Sequence, residues 1–371
     1  MPTRSARSAL SPSGPAASQA APTPGRAVRS NAPGRFERAR REAEADGWDI
    51  VEDLAPLRTE VREERPRRIV ARNESPDLPF DRSASAYRGC EHGCVYCYAR
   101  PTHAYLGLSA GLDFESRLVA RPGAPDLLAR ALEKPGYVPT PMALGTVSDP
   151  YQPIERDRRI TRAMLEVLRD FRHPVAITTR GALIERDLDI LGPMAADGLV
   201  AVGVSLATLD PALSRAMEPR APGPKRRLRT IRLLSEAGIP VRVAASPLIP
   251  ALTDHELESI LEAAAAAGAT SASSIPLRLP GEVTPLFTAW LEEHAPDRAA
   301  RVMNRVRELH GGRDYDPSFG KRMQGQGVWA QLVRRRLDVA RERLGLAEER
   351  YPLRADLFRV PPRPGQQMSL F

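Results

Sequence analysis

Cys90, Cys94 and Cys97 are the only cysteines in this 371-residue chain, and all three lie in the stretch "YRGCEHGCVYCYAR" (87–100). Thiols at such spacing point to metal or redox chemistry rather than to a disulfide framework. A thiolate is a soft ligand that selects zinc or iron–sulfur centres. Structural zinc takes four ligands, which His92 or His103 could complete, although His92 sits between two of the thiols on a tight loop. A redox pair at Cys94 and Cys97 leaves Cys90 unexplained, and three unconnected buried thiols leave the clustering unexplained. A cuboidal iron–sulfur cluster normally takes four cysteines, so three would leave one iron position open. An open position is the mark of a catalytic centre.

Strands and helices alternate from about residue 80 and must position this loop. "SASAY" (83–87) reads as a short strand running into the cysteines. "PMALGT" (141–146), "PVAITT" (174–179), "GLVAVGVSL" (198–206), "PVRVAASPL" (240–248) and "SASSIPLRL" (271–279) read as the strands that follow. The unbroken apolar run at 198–206 suits a strand buried on both faces. Helices are expected over 159–171, 183–191 and 225–237, from Asp254 through "LEAAAAAG", and in "TPLFTAWLEEH". This alternation implies an α/β fold with a parallel sheet and right-handed crossovers, either a partial barrel or an open doubly wound sheet. In both, the active site lies at the carboxyl ends of the strands, where the cysteine loop leaves the first strand.

The arrangement C-x-x-x-C-x-aromatic-C, here Cys90, Cys94, Tyr96 and Cys97, resembles the signature of the radical S-adenosylmethionine (radical SAM) superfamily. The resemblance implies a partial (β/α)6 barrel over residues 80–296 and a 4Fe–4S cluster held by the three cysteines. It implies S-adenosylmethionine chelated at the open iron through its amino and carboxylate groups. One electron would cleave the sulfonium bond, and the resulting 5′-deoxyadenosyl radical would abstract hydrogen from a substrate. A reductant such as flavodoxin or ferredoxin is then implied, and Tyr96 would pack near the adenine. "SDPYQPIE" (148–155) narrows the resemblance to the branch holding spore photoproduct lyase and DNA-repair-photolyase-like proteins, over about residues 80–285.

Supporting loops carry the other candidate contacts. Where the superfamily often has Gly-Gly-Glu for the ligand's amino group, this chain has Gly145 and Thr146. The acceptor would then be a backbone carbonyl, a hydroxyl or Asp149, in a loop stiffened by Pro150 and Pro153 that also presents Tyr151, Gln152 and Glu155. Arg180, at the end of the third strand, suits the methionine carboxylate or a phosphate. Ser205 sits where the superfamily often contacts ribose, and "SPLIP" (246–250) where it contacts adenine. Arg220, Lys225, Arg226 and Arg227 form a basic loop suited to an anionic substrate. The branch's lyase uses a further cysteine as hydrogen donor; none exists here, so a tyrosine would have to serve.

Lys plus Arg exceed Asp plus Glu, 54 to 46, and only Lys134, Lys225 and Lys321 are lysines. The surplus fits a nucleic-acid partner or simply an arginine-rich composition. No run of 18 apolar residues occurs, so no membrane span and a cytoplasmic location are expected. Residues 1–35 read as a disordered basic leader, 36–79 as a charged linker with a short helix, 297–349 as an Arg-rich helical extension, and 350–371 as a flexible Pro-rich tail. The final "QMSLF" resembles the peptide that binds bacterial sliding clamps, with Gln367, Met368, Leu370 and Phe371 as contacts. The resulting expectation is a radical SAM enzyme acting on nucleic acid. The competitors are a radical enzyme for a small molecule or protein, and a non-enzymatic Fe–S or zinc module that binds nucleic acid.

Overall fold

The computed structural model describes residues 25–32, 35–36, 57–348 and 352–362. Its strands are β1 (Glu60–Glu63), β2 (Val70–Arg72), β3 (Arg82–Ala84), β4 (Tyr87–Arg88), β5 (Arg117–Ala120), β6 (Met142–Leu144), β7 (Val175–Thr179), β8 (Val200–Ser205), β9 (Val241–Leu248) and β10 (Ser271–Pro276). The main sheet has the order β10-β9-β8-β7-β6-β3-β2. From β3 to β10 every neighbour pair is parallel, and β2 closes one edge antiparallel to β3. These six parallel strands, with helices between them, are the expected partial (β/α)6 barrel.

Alternation along the strands separates two faces. Met142, Leu144, Val175, Ile177, Val200, Val202, Val204, Val241 and Val243 point to one side and join the main apolar cluster. The helices Ile160–Asp170, Leu188–Ala196 and Leu257–Ala266 cover that side with Met164, Leu165, Leu168, Ile190, Leu191, Ile260 and Leu261. Each such aliphatic side chain contributes about 1.5–3 kcal/mol by leaving water. Thr178, Gly203, Ser205 and Arg242 lie on the other, concave face and belong to none of the apolar clusters. The run at 198–206 is buried on both faces, as expected, with only Ala201 of β8 partly exposed. Its second face consists of Ala201, Gly203 and Ser205, small residues that leave room rather than fill it.

The first strand ends earlier than "SASAY" suggested. After Ala84 the chain turns, and Tyr87 pairs with Ala120 in a second sheet of order β1-β5-β4. Residues 57–79, expected as linker, thus contain β1 and β2 and no helix; residues 37–56 of the segment in which a short helix was expected lie outside the described residues. The leader also gains structure over 25–32, where Ala27 and Val28 are buried and Asn31 exchanges hydrogen bonds with Asp113. Composition could not show that complementarity.

Helix Val283–His294 follows β10, and helices Pro296–Leu309 and Gly327–Leu344 form the C-terminal extension. Residues 352–362, expected as loose tail, instead strap the amino ends of the barrel strands. Arg354 N donates to Gly198 O, Arg359 N donates to Phe171 O, and the Phe358 ring packs on Tyr137, Phe171 and His173. The "QMSLF" peptide lies outside the described residues. No helix among the described residues is long and apolar enough to cross a membrane.

Candidate active site

The loop after β4 is built around Arg100, which is wholly buried. Its Nε donates to Cys94 O, one Nη to Ala110 O and Gly111 O, and the other to Gly93 O and Glu115 Oε1, all at 2.9–3.0 Å. All five guanidinium N–H groups are thus used to shape the cysteine loop. Gly93 turns it at φ +67°, and a Cβ there would collide with the Glu115 carboxylate. Gln152 ties the loop to the segment after β6: Glu91 N donates to its Oε1, and its Nε2 donates to Gly89 O and Ser148 Oγ.

Cys90, Cys94, Cys97, Tyr98, Gly145, Thr146, Ser148, Asp149, Thr178, Arg180 and Ser205 line one cleft at the carboxyl ends of β6, β7 and β8. The cleft is open to solvent, with a volume of about 70 Å³. Gly145 makes the wall possible: its φ is +95°, and a Cβ would come within 1.9 Å of Thr178 O. Arg180 Nη1 donates to Cys94 Sγ and pairs with Glu218 at 3.0 Å. Burial opposes the Arg180 charge, but Cys94 and Asp149 beside it raise its pKa above the usual value. Burial pushes the Cys94 thiol up to about 12, against the pull of Arg180.

Two expected contacts take different places. Tyr96 does not line the cleft; it is buried in the apolar cluster with Met217, Ile249 and Leu277, and its hydroxyl donates to Glu218. Its hydroxyl also accepts from Arg180 Nη1, the nitrogen that donates to Cys94 Sγ, and the aromatic residues lining the cleft are Phe114 and Tyr98, the latter donating to Thr146 O at 2.6 Å. Asp149 lies in the wall, but its carboxylate accepts from Thr179 Oγ1, Arg180 N and Tyr151 N and lies 3.4 Å from His92 Nδ1. Burial opposes that charge, yet His92, Thr179 and the Arg180 N–H hold the carboxyl below its usual range. Asp149 therefore fixes β7 to the loop after β6.

Gln152 and Glu155 also serve the scaffold, Glu155 taking Tyr87, Thr161 N and Arg186 as partners. The basic loop is largely neutralised internally: Arg227 pairs with Glu218, Arg226 with Glu185 and Arg220 with Glu91. Glu218, Arg100 and Glu115 carry the site's electrostatics and had no signal in the sequence, since their pairings follow no helix or strand period. Tyr98 was visible as the third tyrosine of the cysteine stretch.

The arrangement fits a cluster better than a single ion. Three thiols face one cleft, and soft thiolates are the donor set that iron–sulfur clusters take. Arg180 offsets charge at the thiols, and Gly145 keeps the adjoining wall open.

Six parallel strands carry a cysteine-lined cleft at their carboxyl ends, the edge at which partial-barrel enzymes of this class place their active sites. A sequence profile of the radical SAM superfamily matches residues 85–264. An uncharacterised Mycobacterium tuberculosis protein is 36% identical over 262 residues, spanning 70% of this chain and 76% of its own. An uncharacterised Methanocaldococcus jannaschii protein is 31% identical over 170 residues, spanning 46% and 61%. Among solved structures, spore photoproduct lyase complexed with dinucleoside spore photoproduct superposes with a TM-score of 0.54 at 15% identity, over 77% of this chain and 80% of that one. The chain belongs to the radical SAM superfamily and is an enzyme of that class. Membership implies a 4Fe–4S cluster and S-adenosylmethionine as its cofactors.

Proposed function

We propose that this enzyme performs radical SAM chemistry on a nucleic acid, in the manner of a repair reaction. Held by Cys90, Cys94 and Cys97, the cluster would supply the electron that cleaves S-adenosylmethionine to a 5′-deoxyadenosyl radical. Arg180 is placed to neutralise the methionine carboxylate. Gly145 and Thr146 offer backbone along the same wall, and Ser205 offers its hydroxyl to the ribose. Asp149 and Glu218 are positioning residues: the first fixes the Arg180 backbone, the second its guanidinium. Tyr98 orders the cleft rim through Thr146 O.

The observation that carries the substrate class is an arginine rim. Arg65, Arg67 and Arg68 are exposed and have no ion pair among the described residues. They precede β2, whose Val70 pairs with Ala84 at the carboxyl end of β3, the end from which the cysteine loop departs. Unpaired guanidinium groups at that edge suit a phosphate backbone. A structure of the same fold that holds a dinucleoside photoproduct supports the reading.

The test is anaerobic reconstitution followed by reduction with dithionite in the presence of S-adenosylmethionine, with and without damaged and undamaged DNA. Formation of 5′-deoxyadenosine that rises with DNA supports the proposal, whereas formation indifferent to nucleic acid defeats the substrate class. A sliding-clamp partner fits the same reading. The contacts would be Gln367, Met368, Leu370 and Phe371. Deleting residues 367–371 should abolish clamp capture while leaving 5′-deoxyadenosine formation intact; undiminished capture removes the clamp.

A further inference from the structure

Below the cleft, the concave face of the sheet holds a cation that nothing in the described fold neutralises. Arg242 lies near the start of β9, opposite Gly203 of β8 and Ser271 of β10. In-register neighbours send their side chains to the same side of a sheet. The Arg242 guanidinium lies over Gly203: a Cβ at 203 would stand 2.9 Å from Arg242 Nη2 and 3.4 Å from Thr178 Oγ1. The missing side chain at 203 therefore makes room for the guanidinium, and the same position brings it toward the Thr178 hydroxyl.

Among the described residues Arg242 has no ion pair, and its buried Nε has no hydrogen-bond partner. The buried Ser271 hydroxyl is also unpartnered. Burial alone lowers the Arg242 pKa; no carboxylate or thiolate offsets it. The contrast with the rest of the interior is sharp, since Arg100 and Arg227 each meet a buried carboxylate. Arg242 is half-buried, and a guanidinium with a buried, unpartnered Nε and no counter-charge can take both from an anionic ligand. Thr178 also lines the cysteine cleft, so one residue of this group borders the reaction site. One forked cation flanked by hydroxyl donors suits a tetrahedral oxyanion, which has more acceptor oxygens than a carboxylate.

We propose that Arg242, with Thr178 and Ser271, forms a phosphate-binding site on the concave face of the barrel, directly beneath the cysteine cleft. The proposal rests on the reading of that cleft as the reaction site. A nucleotide's phosphate and free inorganic phosphate share this chemistry, and the experiment separates them.

Thermal unfolding of the full-length, anaerobically reconstituted protein is followed in sodium phosphate and in sodium chloride at equal ionic strength. Phosphate should raise the Tm of the parent by about 2–4 °C near saturation, and Arg242→Gln should lose that specific shift. Gly203→Ser, which places atoms where the guanidinium lies, should lose it as well. A thymidine 5′-monophosphate arm that exceeds inorganic phosphate at equal concentration, with thymidine inert, assigns the site to a nucleotide. Equal responses assign it to free phosphate. No phosphate-specific shift in the parent, or an equal shift in Arg242→Gln, overturns the site. None of these readouts requires S-adenosylmethionine cleavage. A lost phosphate site with intact 5′-deoxyadenosine formation therefore leaves the activity standing, and the reverse result leaves the anion site standing.

Discussion

Arg100 and Glu115 meet at 2.9 Å with neither side chain exposed. Burial raises the Glu115 pKa and Arg100 opposes the rise. The same guanidinium holds Gly93 O and Cys94 O, so the ion pair and the cysteine loop share one anchor. The shape of the loop therefore depends on a fork of five donors, which a single ammonium cannot replace.

Arg100→Lys should destabilise the protein by about 3 kcal/mol, the scale of a broken buried pair. Urea unfolding measures the loss, and iron content per chain after reconstitution should fall with it. A variant that loads iron like its parent would show that the thiols hold their positions without Arg100.

Gly145→Ala tests the cleft wall. The new methyl group would stand 1.9 Å from Thr178 O, at a backbone φ of +95° that alanine disfavours. Backbone on both sides must move, and a displaced wall should reduce 5′-deoxyadenosine formation about a hundredfold. Iron loading should be retained, because the thiols belong to a separate loop. Undiminished turnover would place S-adenosylmethionine elsewhere.

His173 gives a pH dependence. It is buried, its Nδ1 lies 2.9 Å from Pro174 O, and its Nε2 lies 2.7 Å from the Tyr137 hydroxyl. Burial pushes its pKa down from 6.5 to about 4, against the hydrogen bond to Pro174 O, with Arg82 adding to the fall. Between these values the unfolded chain binds the proton and the folded chain does not, so stability rises with pH across that window. The contribution is complete above pH 6.5 and lost by about pH 4, a change of about 3 kcal/mol. His173→Gln should remove that part of the slope, as read from urea midpoints at pH 7, 5.5 and 4.5; parallel curves for the two proteins sink the assignment.

Much of this architecture was legible because strand and helix periods are local. The apolar run around Val202 and the Gly238 stop after the Pro224–Glu236 helix mark elements by themselves. The cysteine spacing was equally local, and so was the placing of Gly145 and Arg180 at strand ends. What escaped depended on pairing across the fold. Glu218 matters because Arg180 and Arg227 arrive from other elements, and the basic loop lost its apparent surplus for the same reason. Tyr96 and Tyr98 are two residues apart on an irregular turn, where no period says which ring lines the cleft. Phe358 looked like tail because its partners Phe171 and His173 lie nearly two hundred residues earlier.

The arginine rim separates electrostatic attachment from catalysis. Arg65, Arg67 and Arg68 precede β2 and touch none of the residues that line the cysteine cleft through any ion pair or hydrogen bond among the described residues. Their charges are solvated, so their contribution to binding should be screened by salt. Each phosphate contact on duplex DNA steepens the dependence of log affinity on log salt by about 0.9. Replacing all three by Gln should therefore flatten that slope by about 2 to 3 and weaken binding similarly for all sequences. Formation of 5′-deoxyadenosine without DNA should stay at the parent's level, since the cleft is unaltered. Fluorescence anisotropy from 50 to 200 mM salt, a range in which such contacts lose orders of magnitude in affinity, provides the slope. An unchanged slope would mean that the phosphate backbone does not cross this edge, and the nucleic-acid reading would lose the observation on which it stands.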